Sequence, residues 1–249
     1  MAKADGILNI EGTVENLTFF KKDGKSFVRR KGGVSKQRIE TDPNYVRTRE
    51  NMNEFKQSAT SGKLLRLALG SLVFKAKDSK LSSRLLQTMS RIKNLDATSA
   101  RGQRTVSQGL TTTAGKIDLK GFDFNANAPL KSVLFAPFVL DTASGKISFT
   151  DFIPAEQLQF PEGATHISLQ SAVLSIDFET EFSDVTYSNL ENMPLSLIPV
   201  TFALNPTAMP VGGAVTLFLL SVAFFQEVNG VQYSLKNEEY SALNVIEVI

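Results

Sequence analysis

The chain has 249 residues, 42% of them hydrophobic and 21% charged, a globular composition long enough for one large core or two modest ones. It holds no cysteine, which excludes a disulfide framework, a thiolate nucleophile and Cys-ligated zinc. The formal net charge of +2 conceals an asymmetry: residues 1–120 carry 24 Lys/Arg against 11 Asp/Glu, and residues 121–249 carry 3 against 14.

Residues 1–6 lack the apolar stretch of about 7–15 residues that a secretory signal needs. The chain is therefore expected in the cytoplasm, or in a virion or other particle after lysis. Residues 6–31 read as strands. Leu8 and Ile10 alternate with polar neighbours, Leu17, Phe19 and Phe20 follow, and Asp23-Gly24 supplies a hairpin turn before the return strand Ser26-Phe27-Val28-Arg29-Arg30. A ribbon this small is barely stable alone and must lie on something else.

Helical spacing takes over from Asp42 to about Leu95. Asp42-Pro43 reads as an N-cap followed by proline at the first helical position. Tyr45, Thr48, Met52, Phe55 and Ala59 then mark one apolar face. After a break at Ser61-Gly62, a second helix carries Leu65, Leu69, Leu72 and Ala76. Leu64, Leu67 and Phe74 widen its apolar arc, so it is expected to be buried on most sides. Asp78 is expected to cap a third helix that turns Leu81, Leu85, Met89 and Ile92 inward and Arg84 and Arg91 outward. Residues 96–116, rich in Thr, Ser and Gly, read as a connector with one short helical turn and as the best domain boundary.

From about Lys116 the period changes to two, starting with Ile117, Leu119 and Phe122, then Val133-Leu134-Phe135. Ile147 and Phe149 follow a Ser144-Gly145 turn, and Ile167, Leu169, Leu174, Ile176 and Phe178 alternate with Ser175, Asp177 and Glu179. Val228-Asn229-Gly230-Val231 is the strongest hairpin signal. Residues 214–225 are strongly apolar but too short for a membrane helix, which takes about 20 such residues. As a strand the segment is apolar on both faces, so each face requires a cover; the second, Phe218, Leu220, Val222 and Phe224, is expected to meet the chain's own helices, the N-terminal ribbon or, as a candidate interface, another subunit. Residues 240–249 are expected to be a paired strand, in the chain's own sheet or donated to a neighbour.

The expected fold is α+β and β-dominated: an N-terminal β-ribbon (residues 1–41), a basic helical segment and connector (residues 42–115), and an acidic, immunoglobulin-like antiparallel β-sandwich (residues 116–249). Catalysis is not expected, because no Walker loop, nucleophile elbow or Rossmann fingerprint occurs. No cofactor or metal is expected. The single histidine, His166, cannot build a typical zinc site. Asp177, Glu179 and Glu181 read as the solvated face of a strand more readily than as a cation site.

The sharpest functional signal is basic. Lys21, Lys22, Lys25, Arg29, Arg30, Lys31, Lys36 and Arg38 fall in 18 residues with one acid, Asp23, and Arg47 and Arg49 follow. Interleaved with Phe19, Phe20 and Phe27, they suit either a polyanion or the acidic half of another copy. The first expectation is a self-assembling structural protein (filament, shell or virion-associated particle) whose partners are its own copies. The second is a nucleic-acid-binding protein. A third, weaker expectation is a carbohydrate- or protein-binding module.

Four runs are similar to an uncharacterised protein family common in Bacteroidota genomes. They are Phe27-Val28-Arg29-Arg30-Lys31-Gly32-Gly33; Asp42-Pro43-Asn44-Tyr45-Val46-Arg47-Thr48-Arg49-Glu50-Asn51 with Phe55; Leu134-Phe135-Ala136-Pro137-Phe138; and Phe225-Gln226-Glu227-Val228-Asn229-Gly230-Val231-Gln232-Tyr233-Ser234-Leu235-Lys236-Asn237. The resemblance implies a source in a Bacteroidota bacterium or one of its phages. It brings no activity and no site residue.

Overall fold

The computed structural model describes residues 10–235 and 240–249 in full and residues 2–3 by backbone alone. Leu8, Lys236 and Asn237 lie outside the described residues. The chain divides into two compact units, residues 1–49 and residues 50–249, where the sequence suggested bounds at 41/42 and 115/116.

The first unit is a small antiparallel sheet with one short helix. Strands β1 (Ala2–Lys3), β2 (Gly12–Val14), β3 (Leu17–Lys22) and β4 (Lys25–Arg30) run in the spatial order β1-β4-β3-β2. The Asp23-Gly24 turn closes β3 onto β4 as expected, with Lys22 opposite Lys25. Helix α1 (Lys36–Thr41) is capped by the Ser35 hydroxyl, which accepts from the Arg38 N–H. Asp42 then accepts from the Asn44 N–H and opens a 3-10 turn at Pro43 that leads into α2 (Val46–Ala76).

The second unit layers helices on a six-stranded sheet, with a three-stranded sheet on its other face. Helix α2 does not break at Ser61-Gly62. Gly62 is buried, and a Cβ there would sit 3.5 Å from Leu85, ordinary packing distance, so the small residues serve close helix approach. The kink falls at Gly70 instead, whose φ of +39° lies in the left-handed region that favours glycine. The buried face is also not the one the apolar periodicity marked. Glu54, Ser58, Ser61 and Leu65 are buried, whereas Met52 (57%) and Phe55 (60%) are exposed, as are Leu67 and Phe74. The polar face turned inward because Glu54 has buried partners there.

Helix α3 (Leu81–Asn94) buries Leu81, Leu85, Met89 and Ile92 as expected. Asp78 is not its cap residue. It sits two residues ahead of the Lys80 cap, where it accepts from the Lys80 and Ala126 N–H groups and pairs with Arg84. Arg84 therefore turns inward and donates to the Asp123 and Phe124 carbonyls.

The stretch read as a connector is packed structure. Helices α4 (Val106–Leu110) and α5 (Thr113–Leu119) bury Val106, Leu110 and Leu119. A Cβ at Gly109 would lie 2.1 Å from the Ile92 carbonyl oxygen, so this glycine is what lets α4 meet α3. Ile117 and Leu119 are thus helical, not the start of a strand. Helix α6 (Leu130–Val133) likewise replaces the strand read at Val133.

The strands that follow are β5 (Val139–Leu140), β6 (Ile147–Phe152), β7 (His166–Asp177), β8 (Phe182–Tyr187), β9 (Glu191–Pro194), β10 (Val200–Leu204), β11 (Val215–Val228), β12 (Val231–Ser234) and β13 (Ala242–Val248). Two long central strands, β7 and β11, pair over eleven residue positions from Val215–Ile176 to Phe225–His166. β12 and β13 share the outer edge of β11, and β8 and β9 share that of β7. The second sheet has the order β10-β6-β5. The architecture is therefore α+β with antiparallel sheets. The Asn229-Gly230 hairpin forms as read, and the C-terminal strand pairs within its own sheet.

Two cores lie on opposite faces of the six-stranded sheet. On one, Leu65, Leu69, Leu85 and Met89 of the helices meet Leu174, Leu217, Leu219 and Val245. On the other, Phe149 and Phe152 of β6 meet Ile167, Leu169, Leu220, Val222 and Phe224, and Phe149 stacks on Phe202 at 4.8 Å. This explains why β11 is apolar on both faces: each is covered within the chain.

Candidate interaction surface of the N-terminal sheet

Among the described residues of the first unit, 10–49, none is buried. Strand register sorts its side chains into two faces, because residues directly opposite across an antiparallel pair point the same way. One face takes Val14 with Leu17, and Phe19 with Val28. The other takes Thr13 with Thr18, Arg29 opposite Thr18, Phe20 with Phe27, and Lys22 with Lys25. The first face is apolar and only partly shielded: Val14 is 55% and Leu17 43% exposed. The second is aromatic and basic. Phe20 and Phe27 stack at 5.8 Å, and the Arg29 guanidinium lies 5.4 Å from the Phe20 ring centroid.

The ten basic candidates do not form a single patch. Lys22, Lys25 and Arg29 share the aromatic face. Lys21 and Arg30 fall on the apolar side, where Lys21 pairs with Glu11 at 3.5 Å. Lys31 follows β4 and donates its backbone N–H to the Asn16 carbonyl. Lys36 and Arg38 lie on α1 and pair with Glu40 and Asp42, each four residues on. Arg38 also lies over the Tyr45 ring, and the Asn44 N–H, with the Arg38 hydrogen bond second, holds the Asp42 carboxyl below its usual range. Arg49 is structural. It donates to the Ile39 and Asp42 carbonyls at 2.6 and 3.0 Å, closing the end of α1. Arg47 lies in the first turn of α2, apart from the strands.

Phe218, Leu220, Val222 and Phe224 are not an interface. They are 0–1% exposed within the chain, and Leu220, Val222 and Phe224 pack into the core shared with the three-stranded sheet. The carboxylates at 177–181 are not a strand row either. β7 ends at Asp177, whose oxygens accept from the Glu179 N–H at 2.8 Å and the Thr180 hydroxyl at 2.7 Å, building the turn into β8. Among the described residues no group of three or more His, Asp or Glu is placed to hold a metal ion. His166 opens β7 with Nδ1 3.0 Å from the Thr165 hydroxyl. Among the described residues no helix is long and apolar enough to cross a membrane.

The β2–β3 hairpin escaped the sequence reading. Its signal was weak: Val14-Glu15-Asn16-Leu17 holds one turn former, Asn16, between apolar residues, and Glu15 takes a positive φ that its type does not advertise. That hairpin widens the expected ribbon into a sheet with two distinct faces. Comparison with known proteins found no matching family model, no matching curated protein and no matching solved structure.

Proposed function

We propose that this protein is a non-enzymatic structural subunit that self-assembles, its N-terminal sheet completed by another copy. The observation that carries the reading is the sheet itself: four strands, an apolar face of Val14, Leu17, Phe19 and Val28, and no buried residue among those described in residues 10–49. A sheet with an open apolar face gains from covering that face. Charge supports a copy as the cover, since residues 1–49 carry 11 Lys/Arg against 6 Asp/Glu while residues 121–249 carry 3 against 14. In this reading the acidic β region is a rigid immunoglobulin-like sandwich, a scaffold supported by the two antiparallel sheets that share a core.

Sedimentation velocity and negative-stain imaging across about 50 to 500 mM salt test the reading, since exposed charge contacts weaken as the Debye length shrinks. Salt-sensitive oligomers or particles are expected. A monodisperse monomer at every salt concentration refutes it.

The aromatic-basic face favours a second reading, nucleic-acid binding. A stacked Phe20–Phe27 pair with Arg29 above it and Lys22 and Lys25 beside it matches the chemistry that stacks bases and tracks phosphates. Fluorescence anisotropy with labelled single strands tests it, with loss of binding expected in Arg29→Glu/Lys25→Glu.

A further inference from the structure

On the helix-side face of the six-stranded sheet, the paired rows of β7 and β11 change character. Leu217 opposite Leu174, and Leu219 opposite Ala172, belong to the helix-side core. The next positions on the same face are Ser221 opposite Gln170, then Ala223 opposite Ser168. The sheet therefore turns from aliphatic to hydroxyl and amide without leaving the buried side, and a cavity of about 440 Å³ opens over these residues. Its volume is that of a small-molecule site.

The floor is hydrogen-bonding and under-used. Ser221 and Ser241, 7% and 6% exposed, line the cavity, and neither hydroxyl is held by a hydrogen bond to another described residue. A hydroxyl on a cavity floor with no such partner can donate and accept, so two of them offer a ligand hydrogen bonds. The walls are apolar: Leu72 and Phe74 from α2 on one side, Leu190 and Phe225 on the other. Among the described residues no carboxylate lines the cavity. Two cations do, Lys75 and Lys77, with no ion pair among the described residues, and the Lys77 ammonium lies 5.1 Å from the Phe74 ring.

We infer that this cavity binds a small amphipathic organic anion, its apolar ring or chain held between Leu72, Phe74 and Phe225, a neutral polar group on the Ser221 and Ser241 hydroxyls, and its acid at Lys75 and Lys77. Lysine suits such an acid as a flexible point charge that reaches from an exposed stem. The site lies within residues 50–249 and stands apart from the assembly reading.

The test titrates the full-length protein with 6-hydroxy-2-naphthoate and with its uncharged counterpart, 6-hydroxymethyl-2-naphthol, by calorimetry and ligand-observed NMR. Saturable one-to-one binding is expected, with the acid about fivefold or more tighter than the alcohol, as two exposed lysines supply. Lys75→Glu/Lys77→Glu is expected to remove that preference and leave alcohol binding intact. Ser234→Trp, an exposed strand position on the lining, is expected to block both probes. Ser221→Val, close in shape, is expected to weaken both probes while the melting temperature holds or rises. The inference is overturned if neither probe binds saturably to folded protein, if the acid gains nothing over the alcohol, or if all variants bind as wild type does.

Discussion

Glu54 is the buried centre on which residues 93–105 close, and replacing it by glutamine tests that role directly. Its carboxylate accepts from Arg104 at 2.8 and 3.0 Å and from the Gly102 N–H at 2.8 Å, and pairs with the Lys93 ammonium. Burial pushes this carboxyl up, but the hydrogen bonds from Arg104, Lys93 and Gly102 outweigh it and hold it at about 2, against an ordinary 4.5. A carboxyl depressed in the folded state stabilises the fold above its unfolded value, and that stabilisation is lost as pH falls toward the folded one. The window is therefore pH 4.5 down to about 2. At pH 7 a shift of this size corresponds to about 3 kcal/mol. Glu54→Gln keeps the shape, removes the charge and leaves Lys93 and Arg104 facing a neutral amide, a change in the range of about 3–5 kcal/mol for a broken buried pair. Urea denaturation of wild type and variant at pH 7 and pH 3 measures it. The stability gap is expected to be about 3 kcal/mol at pH 7 and to shrink by about 2 kcal/mol at pH 3. A gap below about 1 kcal/mol at pH 7, or one independent of pH, refutes the argument.

Three further substitutions probe the packing. Gly109→Ala forces a Cβ to within 2.1 Å of the Ile92 carbonyl oxygen, and a loss of about 2 kcal/mol or more is expected in denaturant melts. Gly70→Ala meets no neighbour within 4 Å but must hold a φ of +39°, so a smaller loss of about 1–2 kcal/mol is expected, with helical circular dichroism retained. Leu220→Ala opens a cavity between the two sheets and is expected to cost about 2–5 kcal/mol while leaving the sedimentation profile unchanged, because the residue is buried within its own chain.

Local chemistry was legible where a short motif decides the structure. Asp23-Gly24, Asn229-Gly230 and the Asp42-Pro43 start all form, because each needs only its own residues. Faces and boundaries were less legible. The Met52–Phe55 periodicity is real, yet α2 buries Glu54 and Ser58 instead, since three buried donors from Lys93, Gly102 and Arg104 outbid an apolar stripe for the inner face. Those donors lie some forty to fifty residues away, beyond any window of periodicity. Residues 96–116 looked like a connector for a related reason. Their glycines and threonines permit close helix contact, a property that composition records only as flexibility. β11 shows the opposite outcome: two apolar faces correctly demanded two covers, but only the tertiary structure assigns both to the same chain. The cavity-lining serines Ser221 and Ser241 had no sequence signal at all, because a serine in or beside a strand reads as an ordinary polar position.

The two readings of the N-terminal sheet separate at adjacent residues. Phe19 and Phe20 follow one another on β3 and so point to opposite faces, Phe19 beside Val28 and Phe20 beside Phe27. Threonine keeps strand preference at either position while removing the ring. Neither phenylalanine is buried, so each variant is expected to fold with a melting temperature near that of wild type. If the apolar face is the assembly contact, Phe19→Thr shifts sedimentation toward the monomer while Phe20→Thr leaves it unchanged. If the aromatic-basic face binds nucleic acid, Phe20→Thr weakens single-strand binding by about 1–3 kcal/mol, the worth of one base stack, and Phe19→Thr does not. Both effects can hold at once, because the faces are distinct. Equal loss of assembly in the two variants refutes the face assignment, since register leaves no arrangement in which neighbouring residues of a strand serve the same surface.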